Sequence, residues 1–206
     1  PVTRNRLAAV DASTGQLTSW NPDANGAVLA MDISPAGIIY AGGAFTNFKS
    51  ASIARSRLAA IDTDGNITGW IVSADNTVRA VKAYADRIYF GGDFANVNTT
   101  IPRSRAAAAL DDGSVLVWDP NATAIVGAVR AIETDGTQVF LGGDLTSIGG
   151  TPINYLAAVN NTDGALNTGW NPDPNARINA LALAGTKLFC GGNFTSFNSG
   201  AINRAY

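Results

Sequence analysis

Four tryptophans and four glycine pairs set the stride of this chain. Trp20, Trp70, Trp118 and Trp170 lie 50, 48 and 52 residues apart. Gly42-Gly43, Gly91-Gly92, Gly142-Gly143 and Gly191-Gly192 follow at steps of 49, 51 and 49. One unit of about 50 residues therefore fills the chain four times, and repeats on that scale build solenoids, arrays or propellers. The frame divides the chain at about 4–54, 55–102, 103–153 and 154–206, within a single domain over 1–206.

Each repeat holds four strand-like runs. The first is Val28–Ile33, matched by Val78–Ala83, Val129–Ile132 and Ile178–Leu183. Apolar residues alternate along it with period two, which specifies a strand. A turn follows, as at Pro35-Ala36-Gly37 and Asp135-Gly136. The second run ends in the glycine pair, which predicts a bulge or a close backbone approach. A variable loop of about ten residues comes next, the kind of segment that often carries function. The third run is Leu7–Val10, Leu58–Ile61, Ala106–Ala109 and Leu156–Val159. The fourth leads into tryptophan at Leu17–Trp20, Ile67–Trp70, Val115–Trp118 and Leu166–Trp170. Four short antiparallel strands per unit predict an all-β chain of four-stranded β-propeller blades. Such blades cover one another's faces, so the tryptophans are expected to be buried at equivalent places between blades.

Composition agrees. Glu133 is the only glutamate, and lysine occurs only at Lys49, Lys82 and Lys187. Strong helix formers for a surface are thus scarce. With 46% hydrophobic and 15% charged residues the chain has a core to bury and no disordered character. A net charge of −2 gives no footprint for nucleic acid. No apolar run is long enough to span a bilayer.

The runs Tyr40-Ala41-Gly42-Gly43-Ala44-Phe45-Thr46, Arg57-Leu58-Ala59-Ala60-Ile61-Asp62 and Trp170-Asn171-Pro172-Asp173 resemble the bacterial delta-60-type, uncharacterised β-propeller repeats. Similar Gly-Gly-x-Phe-Thr units occur in fungal cell-polarity surface proteins. The resemblance covers all four repeats. It implies a propeller in a secreted or surface-attached protein and carries no catalytic residues. Leu110 departs from the pattern at the Asp62 position, and Ile71-Val72 stands where Asn-Pro is usual. Kelch repeats share the glycine pair, but the Asn-Pro and Thr-Gly marks fit them less well.

Candidate chemistry is sparse. Histidine is absent, which removes His-based triads and most zinc sites. Asp62-Thr63-Asp64-Gly65-Asn66 resembles half of a calcium loop, but Leu110 breaks the pattern and Asp-Gly reads as a hairpin turn. Arginines precede the third run at Arg4, Arg6, Arg55, Arg57, Arg103, Arg105 and Arg204, with Ile153 and Tyr155 in the fourth repeat. They are expected to pair with turn aspartates or carbonyls between blades; anion or acidic-sugar binding is the alternative. Cys190 reads as a small buried hydrophobe. Sequons occur at Asn66, Asn98, Asn121, Asn160 and Asn193. No catalytic residue, cofactor or metal is expected, and no ligand-binding residue can be assigned.

The expectation is a non-enzymatic extracellular or cell-surface scaffold for protein interaction, adhesion or assembly. A carbohydrate-binding propeller and an Asp-dependent hydrolase are the alternatives. The loops Thr46–Ala54 and Thr195–Asn203 carry only Phe48 and Phe197 as aromatics, which favours protein contact over sugar. Pro1 in place of Met suggests a removed leader or a segment of something longer. Arg204-Ala205-Tyr206 falls in frame with Arg4-Asn5-Arg6. That overlap favours a larger propeller, or packing against other chains, over a closed four-bladed ring.

Overall fold

The computed structural model describes residues 2–50, 52–121 and 128–198, and the backbone of 202–203. Among these the chain is all-β, in small antiparallel sheets. The first sheet unit joins β1 (Val28–Ile33), β2 (Ile39–Gly43) and β5 (Leu58–Ile61), with a hairpin of β3 (Asn47–Phe48) and β4 (Ile53–Ala54) between the last two. The second has β6 (Val78–Tyr84), β7 (Arg87–Gly92) and β10 (Ala106–Leu110), with hairpin β8 (Asn96–Val97) and β9 (Ile101–Pro102). The third has β11 (Val129–Thr134), β12 (Gln138–Gly143) and β15 (Leu156–Asn160), with β13 (Ser147–Ile148) and β14 (Thr151–Pro152). The fourth holds only β16 (Ile178–Ala184) and β17 (Lys187–Gly192), with β18 (Ser196–Phe197) and β19 (Ile202–Asn203). Each three-stranded sheet takes two strands from one sequence repeat and its third from the next.

Two expectations need correction. The fourth run is not a ladder strand: it meets the third through single bridges, Ile61↔Ile67, Ala109↔Val115 and Val159↔Leu166. Side chains take over its backbone groups. Arg55 donates to the Thr68 carbonyl at 2.7 Å, and the Thr68 hydroxyl accepts the Trp70 N–H at 3.2 Å. The "variable loop" is also more ordered than expected, since it forms the short hairpins β3–β4, β8–β9, β13–β14 and β18–β19. Asn25 holds one of them, its side-chain oxygen accepting the Thr46 and Asn47 N–H groups at 2.9 and 3.0 Å. Asp75 and Asn175 do the same for Ala95 and Thr195.

The glycine pair has two separate tasks. A Cβ on the second glycine would lie 2.1 Å from the Ala27 carbonyl oxygen at Gly43 and 2.0 Å from that of Ala128 at Gly143. The first strand bulges opposite, between Val28 and Ala30 and between Val129 and Ala131, and the two backbones close on each other there. The first glycine faces the next unit instead. A Cβ on Gly42 would meet Val78 and Val81, on Gly91 Val129 and Ile132, and on Gly142 Ile178 and Leu181. The first strands of the units, β1, β6, β11 and β16, accordingly pack in sequence.

The tryptophans complete these seams. The indole N–H of Trp20 donates to the Asp62 carbonyl at 3.0 Å, that of Trp70 to Leu110 at 2.9 Å, and that of Trp118 to Asn160 at 2.8 Å. All three are buried, each with residues of the following unit such as Phe45, Phe94 and Leu145. Trp170 is only half-buried, contrary to the expectation of four equivalent burials; among the described residues the fourth unit has two ladder strands where the others have three.

Trp118→Ala is therefore expected to cost about 3–5 kcal/mol in urea unfolding. Gly143→Ala should cost about 3 kcal/mol, since the clash is with backbone that cannot rotate aside. Gly69, with open space at its Cβ position, should tolerate alanine within about 0.5 kcal/mol.

Candidate functional site

The recurring arginines are occupied inside their own units. Arg4, Arg55 and Arg103 each donate to a carbonyl of the fourth run, at Thr18, Thr68 and Leu116, over 2.7–2.9 Å. Arg57 reaches back to the Ala44 carbonyl at 2.5 Å, and Arg105 to that of Asp93. The expected carbonyl partners are present, but they lie within a unit rather than between units. Arg6, Arg57, Arg105 and Tyr155 share a left-handed backbone, with φ from 58° to 68°. A strained turn repeated in every unit is a feature of the repeat, not the mark of one site. Arg204 lies outside the described residues.

The turn carboxylates are likewise committed. Asp62 accepts the backbone N–H groups of Asp64 and Asn66 at 3.0 and 2.7 Å. Asp11 accepts those of Ser13 and Thr14 together with both hydroxyls. The Ser13 hydroxyl, then the Thr14 N–H, hold the Asp11 carboxyl down at about 2. Donors from Asn66 lower Asp62, and donors from Ser114 lower Asp112. Asn160 replaces the carboxylate in the third unit and accepts the N–H groups of Thr162, Asp163 and Gly164. These are turn-locking geometries, with the oxygens a cation would need already facing N–H donors. Among the described residues no three His, Cys, Asp or Glu side chains converge.

One charged row crosses the first strands of three units. Lys82 on β6 lies 2.9 Å from Glu133 on β11 and 3.7 Å from Asp32 on β1. Partial burial opposes the charge of Lys82, but Glu133 and then Asp32 outweigh it and raise its pKa. A glutamate tied to an ammonium is poorly placed as a proton acceptor. Beside this row the bulged residues pair with the residue after the glycine pair: Arg79 with Asp93 and Arg130 with Asp144, both at 2.7 Å, and Asn179 with Asn193 at 2.9 Å. Sequence reading missed this correlation, which is visible once positions 29, 79, 130 and 179 are set against 44, 93, 144 and 193.

Of the loop aromatics Phe48 is buried, while Phe197 is half-buried and lines a concavity. Phe48 stacks edge-on to Phe45 at 4.9 Å, and Phe197 to Phe194 at 4.7 Å. Cys190 is half-buried, and burial raises its thiol pKa. Among the described residues, exposed apolar side chains lie beside the tryptophans at Ile71 and Val117 and on sheet strands. Leu29, Met31 and Ile33 are exposed on β1, and Phe189 on β17. A concavity of about 770 Å³ lies against β17 and is lined by Trp170, Leu188 and Phe194 among others. No helix among the described residues is long and apolar enough to cross a membrane. No family model, curated protein or solved structure matches the chain.

The shifted groups fix the expected pH dependence. Carboxylates with lowered folded pKa values, such as Asp11 and Asp62, contribute stability above the unfolded value of 3.8 and lose it as pH falls through the folded value. Lys82, with a raised pKa, contributes fully below 10.5 and loses its part as pH rises through its folded value. With no histidine, the urea midpoint should stay level from pH 5 to about 8.5, fall between about pH 4 and 2, and fall again above about 9, where the unfolded chain ionises Cys190 and then Tyr40 and Tyr89 more readily than the folded one, and further above 10.5 with Lys82. A step near pH 6 would contradict this assignment.

Proposed function

We propose that the chain is a β-propeller, or a segment of a larger one, built of four-stranded blades of the delta-60-type repeat. In this reading it is a non-enzymatic scaffold of an extracellular or cell-surface protein, acting in protein interaction, adhesion or surface assembly. The blade reading is supported by sheets of three ladder strands, each joined by a bridged fourth run and packed through consecutive inner strands. The surface setting is supported by the resemblance in the Gly-Gly-x-Phe-Thr runs.

One observation carries the scaffold reading. The polar residues that repeat are spent on carbonyls, turns and ion pairs inside the array, while the surfaces left open are apolar sheet. Open apolar sheet suits protein contact. Sugar recognition calls for exposed rings beside hydrogen-bonding side chains; Phe48 is fully buried, and the concavity beside the exposed Phe189 is lined by no amide or charged side chain.

Antibody labelling of intact cells of the parent organism is expected to detect the chain without permeabilisation. Labelling only after permeabilisation would overturn the surface setting. Calorimetry against neutral and acidic oligosaccharides is expected to give no saturable heat; a saturable sugar would replace the scaffold reading with a lectin.

A further inference from the structure

A groove runs along the seam between the first two sheet units, both of them three-stranded, beside the turns that follow β1 and β6. Two concavities of about 440 and 310 Å³ make it, and both are lined by Ile38, Tyr40 and Asp111. Ile88 adds apolar lining to one part, and Ala60 and Trp70 to the other. The rim is acidic, with Asp86 after β6 and Asp111 and Asp112 after β10. Asp112 accepts the Ser114 N–H at 2.8 Å, which locks its own turn. The side chains of Asp86 and Asp111 have no hydrogen bond or ion pair among the described residues.

Tyr40 joins the two parts. It is 2% exposed and packs edge-on against Trp70 at 5.2 Å. Its hydroxyl has no hydrogen-bond partner among the described residues. Burial, then the charge of Asp111, raises its pKa, so the phenol keeps its proton. Leaving a buried hydroxyl unpaired is costly, which makes this one a group in want of a partner.

The next seam shows what belongs there. Counted from the glycine pairs, Ile38 and Tyr40 correspond to Arg87 and Tyr89. Asp111 corresponds to Asn161, since each follows the carbonyl that receives an indole N–H from the preceding unit. Their own N–H groups go to matching turn carbonyls, at Asp86 and Thr137. In the second seam burial raises the Tyr89 pKa, and Arg87 beside its hydroxyl pulls against that rise. The same guanidinium donates to the Asn161 carbonyl across the seam. The first seam has the tyrosine and the far wall but not the arginine. Isoleucine stands in its place, and a carboxylate replaces the Asn161 amide.

We propose that this groove binds an arginine side chain of a partner protein, its guanidinium lying between the Tyr40 hydroxyl and the Asp111 carboxylate. The chain's own Arg87 sets the precedent for the ligand. Among the described residues the carboxylates do not converge as a metal cage requires. A planar cation with several N–H donors, able to lie against aromatic rings, suits this lining better than a compact ammonium. The site stands on seam geometry, and the partner's being a protein rests on the interaction reading.

Amide chemical shifts of the isotope-labelled chain test the two parts separately. A capped peptide with one arginine among alanines is expected to shift the signals of Asp86, Asp111 and Asp112 saturably. The citrulline peptide, its neutral isostere, should not, and the lysine peptide should bind about threefold or more weakly. Asp111→Asn, on an exposed turn with no side-chain partner to lose, should weaken binding about tenfold. Ile38→Arg, which recreates the second seam, should abolish it with an otherwise unchanged spectrum. Equal shifts with citrulline, equal affinity for lysine, unchanged binding by Asp111→Asn, retained binding by Ile38→Arg or displacement by calcium would each overturn the site. Ethylguanidinium binding as tightly as the arginine peptide would instead overturn the protein partner, leaving a site for a small free cation.

Discussion

The close approach of one sheet unit to the next, at the first glycine of each pair, is the contact on which the rest of this structure depends. Gly42, Gly91 and Gly142 leave room for Val78, Val129 and Ile178 at distances that a single methyl group would forbid. That proximity puts Trp20, Trp70 and Trp118 within reach of a carbonyl in the following unit and buries them there. No unit covers both of its faces alone, so stability is a property of neighbours, as in other repeat arrays. The same logic leaves the last glycine, Gly191, bare and the first-unit Met31 in solvent.

This constraint also bears on function. Arg55 on Thr68, Asp62 on Asn66 and Lys82 between Asp32 and Glu133 all serve the array itself. Sequon asparagines are drawn into the same work: Asn66 donates to Asp62, and Asn98 accepts the Ser73 N–H. Little chemistry is left over, and what stays open is strand edge and apolar sheet. Natural sheets rarely leave such edges uncovered.

The repeat and its strands were legible because their signals are local. Period-two alternation over Val28–Ile33 gives β1 with the same bounds, and the Asp-Gly and Pro-x-Gly turns fall where expected. The glycine pair predicted a bulge or a close approach; the close approach occurs at the pair itself, and the bulge lies on the strand that faces it. Leu17–Trp20 and its counterparts read as strands, yet arginine and threonine side chains satisfy much of their backbone. The β3–β4 hairpin escaped notice because its turn places Lys49 and Ser50, not glycine, at positive φ, and its anchor Asn25 lies some twenty residues away. The arginine partners were right in kind and wrong in place. Carbonyls of the same unit accept them, and a sequence does not reveal which of two neighbouring sheets a long side chain will reach.

A double-mutant cycle on Gly142 and Ile178 tests the seam most directly. A Cβ at Gly142 would lie 2.6 Å from Cγ2 of Ile178, an atom that Ile178→Ala removes. Each single change should destabilise the chain in urea. In the Gly142→Ala background the further cost of Ile178→Ala should shrink by about 1 kcal/mol or more, because the trimmed side chain relieves the clash. Costs that simply add would contradict the account, since they would mean that the two residues do not press against each other across the units.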